Sequence, residues 1–216
     1  MKNKHDINKI FQIFHSVNPY PRIELEYHNS YTLLVAVLLS AQSTDKMVNR
    51  VTSKLFKVID NPKAMIELGL EGLIEYIRSI GLYNSKSCNI INLSKKLVSD
   101  SVAEIPNDFD YLLSLPGIGR KSASVILNSY YNEPYIGVDT HVHRVSNRIG
   151  LVKTKNAHET EKSLYKCAPI ENRIYVHHWL VLHGRYVCKA RNPECDKCIV
   201  RGYCAKYRKD NKRKDS

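Results

Sequence analysis

Apolar residues recur at helical spacing along most of this chain, and no stretch alternates polar and apolar residues long enough to indicate a β-sheet. Val48, Val51 and Leu55 belong to one such stripe. The run Leu33–Leu39 is apolar on every side, which is typical of a helix buried among other helices. It is far shorter than the roughly 20 residues that a bilayer requires, and the polar, charged start of the chain is unlike a signal peptide. The pattern predicts an all-α protein with no membrane span.

The chain is strongly basic, with 33 Lys and Arg against 21 Asp and Glu in 216 residues and a net charge of +12. The tail Lys206–Ser216 holds six basic and two acidic residues, so the rest of the chain still carries +8. We expect this tail to be disordered. A basic surface of this size favours a polyanion, either nucleic acid or an anionic membrane face, and a purely solubilising charge is the alternative. The 43% apolar content suffices for one large domain or two small lobes.

Four cysteines close to the end of the chain follow the spacing C-x6-C-x2-C-x5-C. They are Cys188, Cys195, Cys198 and Cys204. Four thiolates this close in sequence can enclose a tetrahedral metal centre, which could be zinc or an iron-sulfur cluster. Disulfides are the alternative, disfavoured here by the absence of a secretory signal. Lys189 and Arg191 lie within the first gap, so a loop folded around metal would also present two cations to DNA.

The stretch LPGIGRKSA, Leu115–Ala123, predicts a tight hairpin between a helix that ends at Leu115 and a second helix over Arg120–Tyr131. Glycines at 117 and 119 allow a turn whose N–H groups point outward at a helix N-terminus, which is an anion site. Such a hairpin grips a phosphate without reading base sequence. A structural turn plugged by Ile118 is the alternative. The candidate phosphate contacts are Gly117, Gly119 and Arg120.

Two further residues suggest chemistry. Lys121 falls in the first turn of the second helix, where the helix dipole and partial burial favour the neutral, nucleophilic amine over the ammonium. It could instead be one more phosphate-contacting cation. Asp139 in VDTHVHRV has the position of a helix N-cap, whose carboxylate stays ionised. That carboxylate can also help to deprotonate an amine or stabilise positive charge developing on a sugar.

The hairpin, the segments LLSAQSTD, VDTHVHRVSNRIG and HHWLVLHGRYVC, and the cysteine array together resemble the endonuclease III family. These proteins are DNA glycosylases of the helix-hairpin-helix superfamily, and the resemblance covers about Asp6 to Cys204. It implies an all-α fold of two helical lobes with DNA lying across the cleft between them. One lobe would be a six-helix barrel, residues 22–132, containing the helix-hairpin-helix motif. The other, residues 1–21 and 133–205, would hold a [4Fe-4S] cluster, and residues 206–216 would form the basic, disordered tail.

The resemblance also implies a function. Lys121 matches the catalytic lysine and Asp139 the catalytic aspartate, and the four cysteines match the ligands of the [4Fe-4S] cluster. The implied activity is that of a bifunctional DNA glycosylase and AP lyase, which removes oxidised pyrimidines and cleaves 3′ to the abasic site through a Lys121 Schiff base. The expected partner is double-stranded DNA with damaged pyrimidines or abasic sites. We expect a monomer in a bacterial cytoplasm, associated with the nucleoid while acting, with no membrane partner.

Four more residues match the family at secondary positions. Gln42 and Leu82 correspond to residues that fill the hole left by a flipped nucleotide, although Leu82 alone could equally be a hydrophobic staple. Ser40 and His141 are candidate pocket residues. Leu113 stands where some relatives place a carboxylate, which leaves the range of damaged bases open. A single-function glycosylase, a non-enzymatic DNA-binding protein and a redox or metal-storage protein remain the alternatives.

Overall fold

Eleven α-helices and three single-turn 3-10 helices make up the regular structure of residues 2–212, which are the residues that the computed structural model describes. The α-helices are α1 (Lys4–Val17), α2 (Ser30–Leu39), α3 (Asp45–Leu55), α4 (Pro62–Ile77), α5 (Tyr83–Ser99), α6 (Phe109–Ser114), α7 (Arg120–Tyr131), α8 (Thr140–Ile149), α9 (Ala157–Cys167), α10 (Arg173–Tyr186) and α11 (Ala205–Lys212). The 3-10 helices are Ile170–Asn172, Cys195–Lys197 and Arg201–Tyr203. Residues 2–212 contain no β-strand, which confirms the predicted all-α class.

The chain divides into two compact units. Ile23–Asn132 is continuous in sequence and is called the middle unit. The chain up to Arg22 and the chain from Glu133 onward together form the terminal unit. The middle unit contains six α-helices, α2 to α7, and the terminal unit contains α1 and the helices from α8 onward.

Helix α2 is the centre of the middle unit, because all ten of its residues are buried. It packs against α3, α5 and α7, and it begins with a capping box in which Asn29 and Thr32 satisfy each other's backbone N–H groups. The apolar run in its sequence is therefore the buried helix that the pattern predicted. Helix α4 begins at Pro62 behind the N-cap Asn61, and it is kinked at Gly69, where φ is 73°.

The terminal unit is built around Trp179 of α10. The rings of Phe11 and Phe14, from α1, lie 6.2 and 6.1 Å from the Trp179 ring. The indole Nε1 donates a hydrogen bond of 2.7 Å to the carbonyl of Asn18. Because these contacts join residues about 160 positions apart in sequence, they attach the start of the chain to the C-terminal helices.

The end of the chain differs from the prediction. The basic tail was expected to be disordered from Lys206, whereas Ala205–Lys212 forms α11, which packs on α8. The helix is held by a salt bridge of 2.8 Å between Lys206 and Asp210 and by Arg208, which donates two hydrogen bonds to the Gly202 carbonyl. The last four residues of the predicted tail lie outside the described residues. Of the helices in the described chain, none has the length and apolar character to cross a membrane.

Candidate functional site

The two glycines of the hairpin have different roles. Gly117 has a φ of 80°, and a Cβ at this position would lie 2.9 Å from Cβ of Asn89 on α5. Only glycine satisfies both the left-handed backbone and this close approach. Gly119 is the N-cap of α7, with extended backbone and no atom within 4 Å of a Cβ placed there. Its missing side chain therefore leaves the start of α7 open to a ligand.

The hairpin is also part of the core, since Leu115 and Ile118 are buried and the Ile118 N–H donates to the Leu115 carbonyl at 3.1 Å. The structural turn and the anion site are thus compatible. Arg120 is exposed, and its guanidinium lies 5.0 Å from the centre of the Phe109 ring. Lys121 is the second residue of α7 and is partly buried. One helix start therefore carries an open glycine N-cap, a cation and an amine.

Asp139 is the N-cap of α8, as the sequence predicted. Its Oδ1 accepts a hydrogen bond of 2.8 Å from the Val142 N–H. His141 lies in the first turn of the same helix, and its Nδ1 is 3.2 Å from Nη2 of Arg144. Arg144 donates in turn to the carbonyls of Gly184, at 2.8 Å, and Cys188, at 3.1 Å. The start of α8 is thereby connected to α10 and to the first cysteine of the array.

Gln42 and Leu82 both lie on exposed turns of the middle unit, and both have left-handed backbones, with φ of 55° and 60°. The structure brings these turns together, because a Cβ on Gly81 would lie 3.9 Å from the Gln42 carbonyl oxygen. Ser40 ends α2 just before this turn and is partly exposed, and its hydroxyl donates to the Val37 carbonyl at 2.8 Å. The residues predicted to fill the DNA helix therefore share one surface of the middle unit.

The four cysteines of the array line one cavity of the terminal unit, beside His183 and Ile149. All six cysteines lie in the described part of the chain and are free thiols. No three His, Cys, Asp or Glu side chains among residues 2–212 are grouped closely enough for a single metal ion. The four thiols that line this cavity supply the cysteine donor set that an iron-sulfur cluster requires.

Neighbouring groups complete this thiol site. Arg148 directs Nη1 to Cys188 Sγ at 3.6 Å and donates to the carbonyls of Lys189 and Ala190, at 2.6 and 2.9 Å. A cation placed here suits a cluster held by thiolates. His183 Nε2 lies 3.4 Å from Cys198 Sγ, and burial lowers the pKa of His183 to about 4, so this ring is neutral near pH 7.

Lys189 and Arg191 are exposed, as expected of residues that face DNA. Lys189 is ion-paired with Glu194, which also pairs with Lys197 at 2.7 Å. Part of the positive charge of this loop is therefore neutralised locally.

Sequence reasoning missed three residues of these sites. Arg144 and Arg148 were not singled out, yet their guanidinium groups donate to backbone carbonyls of the cysteine loop. Lys86 was not singled out, yet it is only 4% exposed and contacts the turn that carries Gln42. Lys86 precedes the buried Ile90 by four residues and so lies on the same buried face of α5, and this spacing could have identified it from the sequence.

Known families and proteins match nearly the whole chain. The HhH-GPD superfamily of base excision DNA repair proteins matches residues 35–169, and the iron-sulfur binding domain of endonuclease III matches residues 188–204. Endonuclease III of Rickettsia conorii is 53% identical over 93% of this chain and 96% of its own length, and that of Escherichia coli is 49% identical over 87% and 89%.

The solved structures agree with these relatives. A trapped endonuclease III–DNA covalent intermediate, in an estranged-adenine complex, superposes with a TM-score of 0.91 at 40% identity and covers 98% of this chain and 100% of that chain. A non-covalent endonuclease III–DNA complex gives the same TM-score and coverage. With the hairpin, the capped α8 and the four-thiol cavity in place, this chain belongs to the endonuclease III family of HhH-GPD base excision DNA repair proteins.

Proposed function

We infer that this chain is a bifunctional DNA glycosylase and AP lyase of base excision repair. The observation that carries this function is the start of α7, where a glycine hairpin suited to a phosphate is followed directly by the partly buried amine of Lys121. The trapped covalent DNA intermediate of an endonuclease III at 40% identity supports a covalent step. The proposed substrates are duplex DNAs with oxidised pyrimidines or abasic sites, bound by a monomer in the bacterial cytoplasm.

In the proposed mechanism, Lys121 is the nucleophile. Its Nζ attacks C1′ of the flipped nucleotide, the glycosidic bond breaks, and the base leaves with the bonding electrons and takes up a proton. The nitrogen lone pair then forms a Schiff base as the sugar ring opens. This cation makes a 2′ proton acidic, and its removal expels the 3′ phosphate and cuts the strand. Hydrolysis of the Schiff base returns the amine.

Asp139 supplies the carboxylate of this reaction, which helps to deprotonate the amine and offsets positive charge developing on the sugar. Gly117, Gly119 and Arg120 hold a backbone phosphate. Gln42 and Leu82 enter the space that the flipped nucleotide leaves. Ser40 and His141 are the proposed pocket residues. The exposure of the Gln42 and Leu82 turns and the open start of α7 support these roles.

A [4Fe-4S] cluster is the cofactor, and the proposed ligands are the cysteines at 188, 195, 198 and 204, which line one cavity. When bound, the cluster supplies a rigid cross-link for the loop of residues 188–204 rather than a reacting group. This fixes where Lys189 and Arg191 meet DNA. The proposed domain assignment follows the same division, with the barrel over 22–132 and the cluster lobe over 1–21 and 133–205.

Borohydride trapping on duplex DNA with one abasic site or one thymine glycol tests the proposal. The native chain should form a covalent complex with both, whereas Lys121→Ala should form none while still binding DNA. Lys95→Met, an exposed lysine of α5, is the control for loss of one positive charge. Tight DNA binding without a trapped complex would indicate a non-enzymatic binder, and base release without trapping would indicate a single-function glycosylase.

A further inference from the structure

We propose that Lys86 is a positioning residue for the reaction on duplex DNA: it locks together the two turns that carry Gln42 and Leu82. The proposal rests on the hole-filling roles proposed for those two residues. Lys86 lies in the first turn of α5, and its ammonium hydrogen-bonds to the end of α2 and the following turn rather than to the hairpin.

The side chain of Lys86 ends inside the turn that follows α2. Its Nζ lies 2.9 Å from the Leu39 carbonyl oxygen, 2.6 Å from the Ala41 carbonyl oxygen and 3.3 Å from the Ser43 hydroxyl. These acceptors lie on both sides of Gln42 in sequence. One ammonium group therefore holds the backbone just before Gln42 and the side chain just after it, on either side of the residue that must enter DNA.

The backbone of Lys86 holds the second turn. Its N–H donates to the Leu82 carbonyl at 3.0 Å, which is the first hydrogen bond of α5. Leu82 is the N-cap of this helix and has no side-chain cap, so this bond is a main restraint on its left-handed backbone. The same residue thus grips one turn through its side chain and the other through its main chain.

Both turns need such a restraint. Gln42 and Leu82 adopt left-handed φ angles although neither is glycine, a conformation that costs free energy for residues with a Cβ. Both side chains are exposed, Leu82 by 59%, so packing of these side chains does not hold them. A hole-filling residue must be in place before DNA arrives, because the entropy lost in ordering it during the reaction would raise the activation barrier.

Lysine suits this position chemically. The end of a helix leaves carbonyl groups without intrahelical donors and favours a positive charge, and an ammonium offers three donors on a flexible stem. All three acceptors are neutral oxygens, and burial lowers the pKa of Lys86. A lysine kept in the interior on neutral partners is unusual, which points to a demand for this geometry rather than for surface charge.

The test is a double-mutant cycle between Lys86→Met and Gln42→Ala, with single-turnover release of thymine glycol from duplex DNA as the readout. Lys86→Met keeps the length of the side chain and removes its donors. We expect it to slow base release by about tenfold or more, because misplacing a positioning group costs of this order. In the Gln42→Ala background the same change should cost less than about threefold, since the residue it positions is gone. Lys95→Met, an exposed site on the same helix, should leave the rate unchanged.

A second readout follows the turn itself. With 2-aminopurine opposite a reduced abasic site, Lys86→Met should alter the fluorescence that reports filling of the hole, and Lys86→Arg, which keeps the charge and donors, should restore part of it. If the Lys86→Met protein loses its cluster absorbance or its folding transition, Ser43→Ala replaces it as the test, because it removes only one acceptor of the Lys86 ammonium. Ser43→Ala should slow base release less than Lys86→Met, and this effect should also shrink in the Gln42→Ala background.

The outcomes separate the two proposals. Full additivity of Lys86→Met and Gln42→Ala would overturn the positioning role, because a general loss of stability acts independently of Gln42. If Gln42→Ala alone left both base release and 2-aminopurine fluorescence unchanged, the hole-filling role proposed for Gln42 would be wrong, and the role of Lys86 that rests on it would fail as well. A large effect of Lys86→Met that persisted undiminished without Gln42 would also count against the proposal.

Discussion

Replacing Gly117 by alanine should destabilise the middle unit by an amount that its surroundings define. A left-handed φ of 80° costs a residue with a Cβ roughly 1–2 kcal/mol. The new Cβ would also lie 2.9 Å from Cβ and Nδ2 of Asn89, and overpacking of this kind adds at least about 1 kcal/mol. The sum is about 3 kcal/mol. For a chain of this size that corresponds to a fall of roughly 6–12 °C in Tm.

Thermal unfolding followed by far-UV circular dichroism measures this change, with Gly119→Ala as the matched control. Gly119 has extended backbone and open space around it, so its alanine variant should lose only about 0.5 kcal/mol of cap preference. Both variants should weaken DNA binding, because both alter the hairpin.

The steric part of the penalty can be separated with Asn89→Gly, which removes the side chain that the new Cβ would meet. In that background Gly117→Ala should cost about 1 kcal/mol less than in the native chain. A Tm within about 2 °C of the native value for Gly117→Ala would refute the whole argument. An unchanged cost in the Asn89→Gly background would refute its steric half.

Three further outcomes are expected. Asp139→Asn keeps a good N-cap, so its Tm should stay close to the native value, while the rate of borohydride trapping should fall about a hundredfold or more. Slower trapping that came with a matching loss of folded protein would contradict a catalytic carboxylate. Burial, followed by the charge of His177, lowers the pKa of His178 to about 3, so the folded chain holds this ring neutral while the unfolded chain takes up a proton below about pH 6.5. His178 should therefore contribute about 1 kcal/mol to the loss of stability between pH 7 and 5.5 in urea titrations, and His178→Gln should remove that contribution. Arg148→Met removes three contacts to the cysteine loop, and a chelator should then bleach the visible absorbance of the cluster about tenfold faster than in the native chain. Equal bleaching rates in the variant and the native chain would contradict this role of the guanidinium.

Residue type and spacing were enough to predict several elements of this fold. The apolar run of α2, the helix over Arg120–Tyr131 and the cap at Asp139 each depend on local chemistry that acts in the same way in any chain. They are cases in which propensity, pattern and tertiary packing favour the same structure.

The remaining features depend on contacts that no local pattern carries. Gln42 and Leu82 have left-handed backbones without being glycine or asparagine, so nothing in their residue types signals the turn. Lys86 is a charged residue on a buried stripe, and its partners come from the end of α2 and the following turn, more than 40 positions earlier. The helical end of the basic tail forms because Arg208 and Lys206 find local partners and α8 offers a surface, whereas composition alone favours disorder.

The discontinuous terminal unit sets an order for synthesis on the ribosome. Ile23–Asn132 emerges as one uninterrupted stretch and can complete its own core while the rest of the chain is still being made. Helix α1 emerges earlier, but its partner Trp179 follows more than 160 residues later. The first helix must therefore wait, with Phe11 and Phe14 uncovered, until the last third of the chain arrives. Cys204 is the last of the proposed cluster ligands to leave the ribosome. Nascent chains stalled before that point should therefore contain a folded middle unit and an apolar N-terminal helix open to chaperones.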